Sequence, residues 1–319
     1  MKFRTEIKIA PFDKKIGHEN HILSLGSCFA ESVSARLAQS KFHVTTNPVG
    51  VLFNPLSIST ALRSFADPAP LLASDLHQGD GLWFNYDFHG GFSDPSAARA
   101  LDKMNAARQL GAQALHDADQ VLLTFGTAWV FRHKGQVVAN CHKRPSAEFV
   151  RCRLTVNEIV DEFSKLIGTI LADKEVIFTV SPVRHINDGL DENFLSKATL
   201  KLAIAELTAS FGNTHYFPAY EIITDDLRDY RYYADDLIHP APQAIEYVWE
   251  KFAAAALSER AQQLLPQIVR ITAAACHRPQ YPTGAAYKTF CKKQLEQIAT
   301  LPEIDFSTEV ELFKHYTSE

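Results

Sequence analysis

Three short apolar runs constrain the fold of this chain more than any other feature. Segments 21–25, 120–125 and 175–180 each have the character of a buried strand, and each stops abruptly, at Gly26-Ser27, at Gly126 and at Ser181-Pro182. The stretches between them carry helical spacing. Phe29, Val33 and Leu37 recur every four residues, and Val156, Val160, Phe163 and Ile167 form a second apolar face. Further helices are predicted over 55–65, 97–116 and 194–211, and Ile245, Val248, Trp249 and Phe252 define a late one. Weaker strands are predicted at 41–45 and 214–217. Strands alternating with helices call for a parallel sheet covered on both faces, a three-layer α/β/α sandwich. In such sheets ligands bind beyond the carboxyl ends of the strands. Function is therefore expected in the loops at Gly26-Ser27, 47–54, 126–129 and 181–188.

Composition narrows the class of partner. The 32 Lys and Arg against 37 Asp and Glu leave a net charge of −5 without a strongly basic stretch, which argues against nucleic acid or an anionic membrane as the main partner. No segment approaches the ~18 uninterrupted apolar residues of a membrane helix, so no membrane insertion is expected. The basic N-terminal stretch lacks the apolar core of a secretory signal. Five scattered cysteines, an odd number, are then expected as free thiols in a reducing cytoplasm.

The pattern suggests one large domain over 1–257 and a helical C-terminal extension over 258–319, packed on it. In the extension, helices over 263–275 and 286–298 flank a Pro/Gly/Tyr-rich connector at 278–284. Within the main domain, 67–95 reads as an irregular insertion, and 129–139 as a hairpin turning at His133-Lys-Gly135. Trp83, Phe84, Tyr86 and Phe88 alternate like a hairpin lip; they suit stacking on a sugar ring or packing over the core.

Two constellations carry chemistry. Ser27 lies on the turn from the first strand into its helix, where a hydroxyl projects into the crevice and backbone N–H groups at the helix start are free to bind an anion. A serine so placed can attack a carbonyl or simply cap the helix, and the tripeptide leaves both roles open. In Asp236-Leu-Ile-His239 the carboxylate can turn back to the imidazole Nδ1–H, leaving Nε2 to take a hydroxyl proton. The same spacing also suits a helix start, opened here by Pro240, with a surface histidine.

Serine after the first strand and Asp-x-x-His before the last helix of an α/β domain is a layout similar to that of the SGNH, or GDSL, hydrolases. The segments Leu25-Gly-Ser-Cys-Phe-Ala30, Asn47-Pro-Val-Gly-Val-Leu-Phe-Asn-Pro55, Gly126-Thr-Ala-Trp129, Asn140-Cys-His-Lys143 and Ser181-Pro-Val-Arg-His185 resemble, in order, those of the GSCFA-domain family. That resemblance implies an SGNH-like fold, with Ser27 as nucleophile, His239 as base and Asp236 as its orienting acid. Cys28 competes with Ser27 within a register of one residue. The N–H groups of Ser27 and Gly50 would hold the oxyanion. The superfamily's third block normally adds an asparagine donor, and here Ala128 stands in Gly126-Thr-Ala-Trp129. Loss of one such donor costs roughly 3–4 kcal/mol of transition-state stabilisation. Asn140 and His142 are the candidates to replace it, with Asn47 and Asn54 as alternatives.

Arg184 suits a carboxylate or phosphate with its planar fork, and His185 is a second donor or a rival base, with Asp188 the one acid near it in sequence. No zinc-type spacing, P-loop or dinucleotide fingerprint occurs, so neither metal nor cofactor is expected. The expected activity is serine-esterase removal of a short acyl group, such as acetyl, from a polar, carbohydrate-like small molecule. Acyl transfer by the same triad and a non-catalytic glycan- or small-molecule-binding protein are the alternatives.

Overall fold

The computed structural model describes residues 4–281 and 284–318. Its centre is a five-stranded, wholly parallel sheet built from β1 (His21–Gly26), β2 (His43–Thr46), β5 (Gln120–Phe125), β9 (Glu175–Val180) and β10 (Thr214–Tyr216). The spatial order is β2-β1-β5-β9-β10. The chain runs outward from β1 to β2, then crosses back to β5 and continues the other way. The order therefore reverses between β1 and β5, where the crevice of a doubly wound sheet opens.

Side chains alternate across the sheet, and this period of two separates two cores. Leu23, Leu25, Val121, Leu123, Phe125, Val176, Phe178 and Val180 pack against α2 (Pro55–Ala66), α3 (Ala97–Asp117), α4 (Val156–Ile167) and α5 (Leu190–Ser210). Ile22, Leu122 and Ile177 face α1 (Cys28–Gln39) and α7 (Pro242–Ala256) on the other side. A short helix α6 (Ala219–Glu221), prolonged by a π-helical turn over Ile222–Leu227, closes that second layer. The α/β/α sandwich expected from the strand–helix alternation is thus present.

Local readings shift by a residue or two. On α4 the buried face includes Ile159 and Leu166, with Val156 and Val160 at its margin. Pro240 does not open the last helix of the sandwich. That helix starts at Pro242, after Ala241, because Pro240 is held in an extended bridge with Tyr233. The insertion over 67–95 contains a hairpin, β3 (His77–Gly79) with β4 (Leu82–Phe84). Beside it lies a three-stranded sheet in which β6 (Trp129–His133) pairs with β7 (Gln136–Val138) and with β8 (Phe149–Arg153). Phe84, Tyr86 and Phe88 are buried there, so packing over the core is their use.

Helices α8 (Glu259–Cys276), α9 (Ala285–Ala299) and α10 (Ser307–Ser318) gather a separate apolar cluster around Leu264, Ile268, Cys291, Phe306 and Phe313. Pro282 and Thr283 of the connector expected at 278–284 lie outside the described residues. The ion pair Lys41 Nζ–Glu309 Oε2 (2.6 Å) joins α10 to the loop before β2. All five cysteines are unbonded. Among the described residues no helix is long and apolar enough to cross a membrane.

Candidate functional site

The site is built at the reversal between β1 and β5. Gly26 leaves β1 with φ of +143°, and a Cβ there would lie 2.2 Å from the Thr124 carbonyl oxygen, so only glycine fits. Its N–H donates to Asn47 Oδ1 at 2.9 Å. Ser27 follows as the N-cap of α1 but makes no side-chain cap. Its hydroxyl is buried without a hydrogen-bond partner among the described residues.

Two expectations about Ser27 are corrected. The residue is fully buried, with 0% exposure, and does not project into an open crevice. Its backbone N–H is also engaged, donating to Thr124 O at 3.2 Å, because the chain prolongs the β1–β5 ladder by one residue. The Gly50 N–H donates to Asn47 O (2.8 Å) and closes a turn. Both expected oxyanion donors thus have partners in this state.

Gly126, at the end of β5, brings the next groups together. A Cβ placed on it would lie 2.9 Å from Phe53 O, 3.1 Å from Ser27 Cβ and 3.5 Å from His185 Nε2. Ser27 and His185 therefore face each other across a bare α-carbon. His185 Nε2, like Ser27 Oγ, is buried and has no hydrogen-bond partner among the described residues. Burial, then the Lys197 ammonium, then His239 push its pKa down to about 4. Phe53 meets the imidazole edge-on at 6.0 Å between ring centroids.

Asp236 and His239 form the pair expected of them. Nδ1 and Oδ2 are 2.7 Å apart, and Asp236 Oδ1 accepts from the N–H groups of Ile238 (2.9 Å) and His239 (3.0 Å). The N–H of His239, its imidazole and the N–H of Ile238 together hold the carboxyl down to about 2. Both side chains are half exposed, and His239 Nε2 has no partner among the described residues. The Arg184 N–H donates to Ile238 O (3.2 Å), and Arg184 Nη1 reaches Leu237 O (3.3 Å). This zips the His185 segment to the His239 loop. Asp188, in contrast, is ion-paired with Arg151 of β8, and among the described residues no carboxylate bonds to the His185 imidazole.

Asn140 and His142 do not join the site. Asn140 Oδ1 accepts from the His142 N–H (2.7 Å), while His142 Nε2 meets Asn85 O (2.9 Å) and its ring stacks on Phe84. They brace the hairpin lip, which explains their presence without catalysis. Asn54 caps α2 through the Ser57 N–H. Asn47 differs, because its Nδ2 is buried and unpartnered while its Oδ1 holds Gly26. Cys28 is half buried, and burial, then Glu31, raise its thiol pKa, which disfavours a thiolate.

Three residues of α5 support the site and were not singled out from the sequence. Asn193 Oδ1 accepts the His185 N–H at 2.9 Å. Ser196 Oγ accepts the Ala128 N–H at 2.8 Å. Lys197 Nζ, wholly buried, donates to Gly126 O (2.6 Å) and Ser181 O (2.7 Å), and burial lowers its pKa to about 7. The signal was present in the pattern. Asn193, Ser196 and Lys197 sit on the same buried stripe as Leu200, Ala203, Ile204 and Leu207, and polar residues on a core-facing stripe need buried partners. Among the described residues, no three His, Cys, Asp or Glu side chains converge as a metal site would require.

A solved structure from Streptococcus pneumonia, described as "a putative platelet activating factor", aligns over 74% of this chain and 83% of its own at 12% identity, with a TM-score of 0.38. Similarity at that level carries no argument about activity. No curated protein matches the chain. The model described as GSCFA domain protein, C-terminal domain, matches residues 268–318, and that of the GSCFA family matches residues 21–252. With most of its length, the Ser27 and His185 segments included, inside that second match, the chain belongs to the GSCFA family.

Proposed function

We propose that the protein is an SGNH-type serine acyl hydrolase, in which Ser27 attacks an ester carbonyl and His239, oriented by Asp236, takes the hydroxyl proton. The observation that carries this reading is the 2.7 Å Asp236–His239 pair, with a free Nε2, tied by the Arg184 backbone to the segment that faces Ser27. An imidazole anchored at Nδ1 presents a basic Nε2, as general-base chemistry requires. Catalytic hydrogen bonds are often completed only when substrate binds. The exposed loop carrying His239 is held by bonds from Arg184 to Leu237 O and Ile238 O and by the Tyr233–Pro240 bridge, so Asp236 and His239 are presented as one preformed pair.

The oxyanion is assigned to two side chains in place of the third-block asparagine that Ala128 lacks. Asn47 Nδ2 and His185 Nε2 are buried without partners among the described residues, and His185 donates from that nitrogen in its Nε2–H tautomer. His185, with its pKa near 4, is neutral at pH 7 and a weak base, which suits it to donate a hydrogen bond and not to take a proton. The imidazolium of His239 returns the proton to the departing alcohol as its C–O bond breaks, and water, deprotonated by the same imidazole, then releases the acyl group from Ser27 as the carboxylic acid. The tight surroundings of Ser27, with Phe53 O and His185 against Gly126, favour a short acyl group such as acetyl on a polar small molecule.

A second reading, a binding protein without turnover, draws support from the engagement of the Ser27 and Gly50 N–H groups with backbone carbonyls. A fluorophosphonate probe separates the two. Covalent labelling at Ser27, lost in Ser27→Ala and kept in Cys28→Ala, is the expected result. An unlabelled wild-type protein would favour the binding reading.

A further inference from the structure

Beside the His185 segment lies a cavity of about 290 Å³ that none of the proposed chemistry uses. It sits at the small end of ligand pockets, which run from roughly 300 Å³ upward. Arg184 and Arg228 line it together with Tyr220, Tyr230 and Tyr233. The Arg184 guanidinium lies 5.8 Å from the Tyr230 ring centroid and 5.5 Å from that of Tyr233, which holds it beside two aromatic faces. No carboxylate pairs with Arg184 among the described residues, and its one side-chain hydrogen bond there goes to Leu237 O. The hydroxyls of the three tyrosines make no hydrogen bond among the described residues, and burial raises the pKa of Tyr220 and Tyr233, so both remain protonated donors. Asp229 is the one acid in the lining. Its Oδ1 accepts the Arg231 N–H, and its Oδ2 lies 3.8 Å from Arg231 Nε.

The mouth of the cavity has the opposite character. Leu190 and Phe194 of α5 are 53% and 62% exposed, and Tyr230 is 63% exposed. Large apolar side chains left open beside an unpaired cation point to a ligand with both an anionic and an apolar part. Arg228 is ion-paired with Asp225 (3.9 Å) and Asp229 with Arg231 (3.8 Å), so Arg184 is left as the lining cation without a carboxylate among the described residues, which matches a singly charged head.

The geometry points to this cavity as a binding site for a small carboxylate carrying a hydrocarbon chain, with the carboxylate on Arg184 and the chain against Phe194 and Leu190. Arg184 and His185 are consecutive, so the ligand would sit one residue from the imidazole facing Ser27. The assignment does not depend on Ser27 being a nucleophile.

Calorimetric titration of the full chain with hexanoate, hexanol and acetate tests it. Hexanoate should bind at least about tenfold more tightly than either of the others, and equally well to Ser27→Ala. Binding should weaken by a similar factor in Arg184→Gln. Because that change also removes the bond to Leu237 O, Phe194→Asp provides a second variant at an exposed position, and it too should weaken hexanoate. Equal affinity for hexanol and hexanoate, or undiminished hexanoate binding in both variants, would overturn the assignment. Binding that survives while fluorophosphonate labelling fails would reject the hydrolase reading and leave this site standing.

Discussion

His185 Nε2 and Ser27 Cβ meet across Gly126, each within about one van der Waals contact of where a side chain on that residue would begin. A glycine at this point lets an alcohol from the end of β1 and an imidazole from the loop after β9 share one small space. Both polar atoms are left without partners in a structure whose buried groups are otherwise largely satisfied. Unsatisfied buried polar atoms are costly, and in the proposed hydrolase a ligand atom would supply the missing bonds.

Gly126→Ala should therefore damage both stability and activity. The new methyl would meet Phe53 O at 2.9 Å and Ser27 Cβ at 3.1 Å, neither of them the end of a flexible chain. Overpacking of this kind costs about 1–3 kcal/mol. Chemical denaturation should record that loss, and fluorophosphonate labelling of the folded fraction should slow.

Asp236→Asn should leave the fold intact and remove most turnover. The pair is half exposed, so little packing is lost. The amide cannot hold the imidazole in the same tautomer, and loss of an orienting aspartate lowers kcat by roughly 10⁴ in serine proteases. Ester hydrolysis by the variant, measured against wild type at equal thermal midpoint, checks this. A loss of less than tenfold would count against His239 as the base.

His185 gives a pH signature in stability. Its pKa is about 4 in the fold and near the ordinary 6.5 when unfolded, so between these values the unfolded chain binds more protons. Stability from this residue is complete above pH 6.5 and is lost as pH falls toward 4. His185→Gln should flatten the acid side of the unfolding profile in that window. It should also retain more activity than His185→Leu, because the amide still offers a donor to the oxyanion.

Lys197 acts in the alkaline direction. Its pKa is about 7 in the fold, against 10.5 for an ordinary lysine, so the unfolded state again binds more protons across that interval. Stability should rise as pH increases from about 7 toward 10, and the rise should disappear in Lys197→Met. That variant also removes the donor shared by the Gly126 and Ser181 carbonyls, so it should be less stable than wild type at every pH. Denaturant unfolding at a series of pH values reads both effects.

The strand–helix order, the two-faced sheet and the Asp236–His239 pair were legible from the chain alone. Each depends on local periodicity or on residues close in sequence: Leu23 and Leu25 alternate with Ile22, and three residues separate Asp236 from His239. Contacts between distant segments were not legible. Nothing near Ser27 announces that its N–H continues a ladder onto Thr124, and nothing near His142 shows that it stacks on Phe84 and braces the lip. The different surroundings of Asn47, Asn54 and Asn140 are likewise set by tertiary geometry, which engages the side-chain oxygens of the last two in local bonds and leaves Nδ2 of the first unpaired among the described residues. Local patterns set which elements form, because period and capping act over a few residues. Which polar atoms stay unsatisfied depends on how the elements close around them, and only the packed chain decides that.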